Sequence, residues 1–145
     1  MEEHIEIKEV KKTSNEIKKF EEEEWLLADI EHYGKPRNFV KKTYKFIAKD
    51  KNKNIIGILG LTIEANISYL EDILISHKHR GEGIGTKLLL FAEKFAKDHN
   101  CTKIWTETDE DWKAADFYKK MGFKICGKHE NHYLGRTGLI LTKYL

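Results

Sequence analysis

Apolar and polar residues alternate from His4 to Val10, with Ile5, Ile7 and Val10 on the apolar side. That period of two predicts a first strand. Ser14 then stands where a helix N-cap would, and Ile17, Phe20, Trp25 and Leu26 follow at near-helical spacing. Trp25 is expected to pack in a core. The acidic run Glu21 to Glu24 falls in or between the first helices and reads as a solvated face. Gly34-Lys35-Pro36 breaks the pattern, and a short helix or loop from Asn38 to Lys42 follows. Two apolar runs, Tyr44 to Ala48 and Ile55 to Ile63, flank the polar link Asp50-Lys51-Asn52-Lys53-Asn54, which predicts an antiparallel hairpin. After Ala65-Asn66 a third strand runs from Ile67 to Ile75.

The period then changes. Ile84, Leu88, Phe91 and Phe95 form an i, i+4, i+7, i+11 stripe, so a helix over 83–98 buries that face. A strand from Lys103 to Thr106 follows, and the strand–helix–strand order predicts a parallel crossover. Asp109 or Asp111 is placed to cap the next helix, which carries Ala114, Phe117, Tyr118 and Met121 on one face and stops at Gly122. Strands from Phe123 to Cys126 and from Leu139 to Tyr144 complete the chain. The order is that of a mixed α+β fold in one domain, residues 1–145.

Composition narrows the class. A chain of 145 residues with 40% hydrophobic residues is large enough for its own core. No apolar run reaches the 18 residues a membrane helix needs, and Met1-Glu2-Glu3-His4 is not the start of a signal peptide. Cys101 and Cys126 are too few for a disulfide framework and show no metal-ligand spacing; reduced thiols in a cytoplasmic protein are expected, with no metal. The 26 basic and 24 acidic residues are interspersed, whereas a nucleic-acid binder concentrates its basic residues. Neither a nucleic acid nor a membrane is an expected partner.

The segment Arg80-Gly81-Glu82-Gly83-Ile84-Gly85-Thr86 carries the chemistry. It lies between the apolar triplet Ile73-Leu74-Ile75 and a helix start. Glycines let backbone N–H groups approach a ligand, and the helix adds free N–H groups and its positive dipole end. Such a junction binds anions, phosphate above all, and Arg80 adds charge. The order Gly85-Thr86-Lys87 does not fit a P-loop, and G-x-G-x-G past the middle of the chain does not fit a dinucleotide fingerprint.

Arg80, Gly83 and Gly85 instead spell R-x-x-G-x-G, which resembles the pyrophosphate loop of the GNAT superfamily of acyl-CoA-dependent N-acyltransferases. The element order is similar along nearly the whole chain, and the motifs over residues 69–123. The resemblance implies the GNAT fold: a mostly antiparallel central sheet with one splayed parallel pair, flanked by helices. It implies acetyl-CoA as co-substrate. The backbone of Ile73, Leu74 and Ile75 would then hold the pantetheine arm, and Arg80, Gly81, Glu82, Gly83, Ile84, Gly85 and Thr86 the pyrophosphate. By side chain, all three of the triplet also read as core. The family's asparagine before the last helix falls on Asp111, which can act at the cofactor or as a cap.

Acyl transfer to an amine needs a base for the ammonium proton, donors for the oxyanion and an acid for the leaving thiolate. Tyr118, in a segment similar to the family's F-Y-x-x-x-G-F, is the implied acid. Glu71 and Asp72 interrupt an apolar strand, where burial would raise a carboxyl pKa. Neighbours on a strand face opposite ways, so one of the two meets the cleft. Tyr69-Leu70-Glu71-Asp72 and the loop together resemble polyamine and diamine acetyltransferases, which favours Glu71 as base; Glu107 is the alternative. The expected activity is N-acetylation of a small-molecule primary amine, with a polyamine or diamine slightly favoured. A protein N-terminus or lysine as acceptor, and a non-catalytic CoA-binding regulatory module, are the alternatives. Homodimers are common in the family.

Overall fold

Ser14 behaves as its position predicts: its side chain accepts a hydrogen bond from the Ile17 N–H at 3.2 Å and opens helix α1, Asn15–Tyr33. Gly34, at φ 73°, closes it with its N–H on the Ile30 carbonyl at 2.9 Å. The computed structural model describes residues 4–37 and 39–145, which group into two compact units, Met1–Phe39 and Val40–Leu145. In the first unit the Arg37 guanidinium bonds Asp29 at 2.6 Å and lies 4.8 Å from the Tyr33 ring centre. Trp25 is exposed on α1 rather than packed in a core. The strand expected over 4–10 does not form. Alternation supplies one apolar face, but a strand is stabilised by the neighbour it pairs with, and Ile5 and Ile7 have none. Of the short helix or loop expected from Asn38 to Lys42, Asn38 lies outside the described residues and Lys42 already belongs to a strand.

The second unit is a six-stranded sheet with helices. Strands β1 (Lys42–Lys49), β2 (Ile55–Glu64) and β3 (Ile67–Ile75) form an antiparallel meander. Asp50 holds the first turn by accepting from the N–H groups of Asn52 and Asn54. Helix α2 (Ile84–Asp98) crosses to β4 (Lys103–Asp109), which lies parallel to β3. Helix α3 (Lys113–Lys120) leads to β5 (Lys124–His129) and β6 (Gly138–Tyr144). The strand order is β1-β2-β3-β4-β6-β5, antiparallel except for β3 with β4. This is the mixed architecture the sequence predicts.

The core lies between the sheet and its helices. Leu59, Leu61, Leu70, Leu89 and Ile104 are fully buried. Helix α2 buries Leu88, Leu89, Ala92 and Ala96; Phe91, expected in the core stripe, is more than half exposed. Phe91 lies at the rim of that face, its ring centre 5.0 Å from that of Phe46. Gly57 lets the start of α2 come close to β2. A Cβ there would stand 3.0 Å from Leu88 Cδ1 and 3.1 Å from Ile84 Cγ2. Its absence seats the first turn of α2 on β2, which fixes the loop that precedes the helix. At the other end of the sheet Lys143 donates to Glu93 and to the Met121 carbonyl, both at 2.8 Å, joining β6, α2 and the end of α3.

Candidate active site

The parallel pair is short. Only Ile67–Tyr69 of β3 pair with Lys103–Trp105 of β4. Beyond that point β3 continues on β2 alone and β4 on β6 alone. The inner edges of 70–75 and 106–109 therefore lack a strand partner, and the sheet opens in its middle. Thr106, whose role the sequence reading missed, marks the vertex: its buried hydroxyl donates to the Leu70 carbonyl at 2.9 Å. Ile73 and Ile75 face α2 and are half-buried against it, whereas Leu74 points the other way and is exposed, so the triplet is core at two positions, not three.

At the end of β3 a single 3-10 turn, His77–His79, brings three basic or potentially basic side chains and then Arg80 to the loop. Gly81 and Gly83 have φ of 80° and 78°, the left-handed region that side chains with a Cβ resist. Nothing lies within 4 Å of where a Cβ would stand at either, so backbone shape, not room, requires glycine there. Gly83 is the N-cap of α2 and supplies no side-chain bond. The first turn of α2 holds no acidic residue. Its N–H groups and its dipole therefore meet whatever anion arrives. Glu82 is turned aside by a 3.0 Å contact with His79 Nδ1.

A β-bulge reshapes the acidic pair. The β2–β3 register shifts between Gly60 and Leu61, where Gly60 opposes Asp72 and Leu61 opposes Leu70, so Glu71 is the extra residue. The Gly60 N–H donates to Asp72 Oδ1 at 2.9 Å, and the Thr62 hydroxyl donates to Glu71 Oε1 at 2.6 Å. Thr43 Oγ1 lies 3.0 Å from Thr62 Oγ1; with the Thr62 proton on Glu71, Thr43 is the donor of that pair. Both carboxylates thus occupy the sheet face away from α2. The expectation that they point to opposite faces is corrected, because a bulge restarts the alternation. Glu71 is also exposed rather than buried. Tyr69 and Trp105 lie on the same face with ring centres 4.4 Å apart. Glu107 is two residues beyond Trp105, 3.3 Å from His129 Nε2. Among the described residues no lysine or arginine pairs with Glu71, Asp72 or Glu107.

Tyr118, on α3, is buried. That burial pushes its phenol up to about 12; the Thr106 hydroxyl opposes the shift, and Asp72 and Tyr69 add to it. Burial also raises the Tyr69 phenol, helped by the charges of Glu107 and Glu71. Asp111 is not with this group. It is exposed and paired with Arg136, and it caps nothing: Trp112 occupies the N-cap position of α3, with its N–H on the Asp109 carbonyl. The β4–α3 turn closes through backbone bonds, so neither aspartate is needed as a cap.

Known proteins share this layout. An acetyltransferase of Bacillus cereus, 19% identical, superposes with a TM-score of 0.75 over 95% of this chain and 98% of its own, a likeness of fold. A Bacillus anthracis protein described as a streptothricin acetyltransferase, solved with acetyl coenzyme A, is 30% identical with a TM-score of 0.66 over 71% of this chain and 62% of its own. In sequence, the streptothricin acetyltransferase of Streptomyces lavendulae is 32% identical over 93 residues, 62% of this chain. The chain spans 49% of that relative's length. The model of the acetyltransferase (GNAT) family matches residues 6–123, and the chain belongs to that family.

Proposed function

We propose that the protein transfers an acetyl group from acetyl-CoA to the primary amine of a small molecule. One observation carries this reading: the sheet opens between β3 and β4 shortly before a glycine loop and a helix N-terminus with no acidic residue in its first turn, an arrangement suited to an anion. The exposed edge of Ile73–Ile75 offers N–H and C=O groups to the amides of the pantetheine arm. The loop from Arg80 to Thr86 takes the pyrophosphate, and the thioester then lies beside the Tyr118 phenol. Because that phenol stays protonated far above neutral pH, it is a standing donor for the departing thiolate. Asp111, tied to Arg136, is outside this contact set.

The acceptor comes to the face that carries Glu71, Asp72 and Glu107. Three carboxylates without a lysine or arginine partner among the described residues attract a cation, and the Tyr69 and Trp105 rings offer π faces to it. A di- or polyamine fits this face better than a neutral-ended amine. Glu71, steadied by Thr62, takes the ammonium proton through water. Two measurements test the reading: calorimetry with acetyl-CoA, and a free-thiol assay across amines. Tight binding with turnover of diamines is expected, and no heat of binding would sink the proposal. Glu71→Gln should lower kcat/KM about 100-fold and flatten its rise with pH. The same result from Glu107→Gln, with Glu71→Gln silent, would move the base to Glu107.

A further inference from the structure

Glu82 is the one acidic residue between Ile75 and Glu93, and it stands in the middle of the loop read as the diphosphate site. That place is unfavourable for an anionic ligand. Glu82 precedes Gly83, the N-cap of α2, and this helix start has neither a side-chain cap nor an acidic residue of its own. A carboxylate so placed is drawn to the positive helix end and its free N–H groups, the same groups an arriving anion uses. One contact restrains it: His79 Nδ1 lies 3.0 Å from Glu82 Oε2. Gly81, at φ 80°, turns the chain between the two residues. The histidine is the anchored partner. Its N–H bonds the Ser76 carbonyl at 2.9 Å, and the Ser76 N–H bonds the Ile56 carbonyl of β2 at 2.8 Å. Its side chain is 32% exposed, against 55% for that of Glu82. Among the described residues neither Lys78 nor Arg80 pairs with Glu82.

We propose that His79 keeps the anion site at the start of α2 open by holding the Glu82 carboxylate away from it, and is thereby a positioning residue for the diphosphate of coenzyme A. This rests on the reading of residues 80–86 as the diphosphate loop. His79 acts through Glu82 and makes no contact of its own with the coenzyme. A carboxylate accepts only, so the contact selects the ring form with the proton on Nδ1, and the imidazolium donates from the same atom. The bond is therefore kept on both sides of the usual histidine pKa. Released, the carboxylate would bring a like charge to the place where the diphosphate must bind.

The test is a cycle on the full chain: wild type, His79→Ala, Glu82→Gln and the double variant, with His79→Asn as the conservative change. Coenzyme A affinity is measured by calorimetry at low salt, where screening is weakest. His79→Ala should bind coenzyme A about three- to fivefold more weakly, and KM for acetyl-CoA should rise by the same factor. The asparagine amide nitrogen stands as many bonds from the backbone as Nδ1, so His79→Asn should restore most of the affinity. Glu82→Gln should bind at least as tightly as wild type, and adding His79→Ala to it should cost nothing further. An equal loss in both backgrounds would mean that the histidine touches the coenzyme or only shapes the loop, and would overturn the proposal. So would full affinity in His79→Ala. Wild type that binds no coenzyme A removes the loop reading and this one with it. Wild type that binds while the cycle shows no coupling removes only the role of His79.

Discussion

Tyr118 is 4% exposed, between Phe117 and Phe123, and its phenol titrates near 12. The proposed acid role and the fold's response to alkali both follow from that burial. A folded-state pKa above the unfolded value of about 10 means that the native state holds the proton more tightly. The stabilisation is complete below pH 10 and is lost as pH rises towards 12. At about 1.4 kcal/mol per unit, the loss over those two units is about 2–3 kcal/mol. Tyr118→Phe has no proton to lose there. Urea unfolding at pH 8 and pH 12 should therefore shift the stability difference by about 2–3 kcal/mol in favour of the variant. A constant difference would show that the phenol titrates normally. At neutral pH the same variant should lose about 100-fold in kcat and keep its affinity for coenzyme A; unchanged turnover would remove Tyr118 from the chemistry.

At the scale of elements, the start of helix α2 and one ion pair along it are open to test. Gly83 begins it in the left-handed region, where alanine is strained by about 1 kcal/mol or more. Gly83→Ala should weaken coenzyme A binding at least tenfold while costing the ligand-free fold only that strain; calorimetry beside thermal melts separates the two. Equal affinity would contradict the loop's assignment. Lys143 steadies the same helix further along through Glu93, which is 6% exposed. Lys143→Met leaves that carboxylate buried and alone, at about 3 kcal/mol. Replacing both, as Lys143→Met with Glu93→Leu, should recover most of the loss in urea titrations.

The elements are legible in the sequence wherever local signals agree. β3 runs from Ile67 to Ile75 as predicted, because polar links punctuate both ends. Helix α2 follows a clean change of period, and Gly122 ends α3 as expected: its N–H and that of Phe123 turn back to Lys119 and Tyr118. What needs a partner is not legible. The alternation at 4–10 looks like a strand, yet pairing is a property of two segments. The bulge at Glu71 has no composition signal, because one extra residue changes the register without changing the residue types. For the same reason the Thr62–Glu71 and Thr106–Leu70 bonds, each between two strands, could not be read from the strands that carry them.

For the molecule as a whole, the opening between β3 and β4 interrupts a sheet that is otherwise continuous from β1 to β5. Beyond the Thr106–Leu70 bond, backbone groups along that opening have no strand partner, and a ligand that pairs with them acts as a missing strand. Binding to the native state alone stabilises by mass action, about 2.7 kcal/mol at a hundredfold excess over Kd. For a chain of 145 residues that is a rise in Tm of about 5–10 °C. The location of the effect is the sharper test. Hydrogen exchange should slow at 70–75 and 81–86 when coenzyme A is added. The β5–β6 pair, whose ladder is already complete on that side of the sheet, should exchange at an unchanged rate. Slowing spread evenly over the sheet would mean general stiffening. Slowing confined to β5 and β6 would place the coenzyme away from the opening, and the loop and Tyr118 would lose their common ligand.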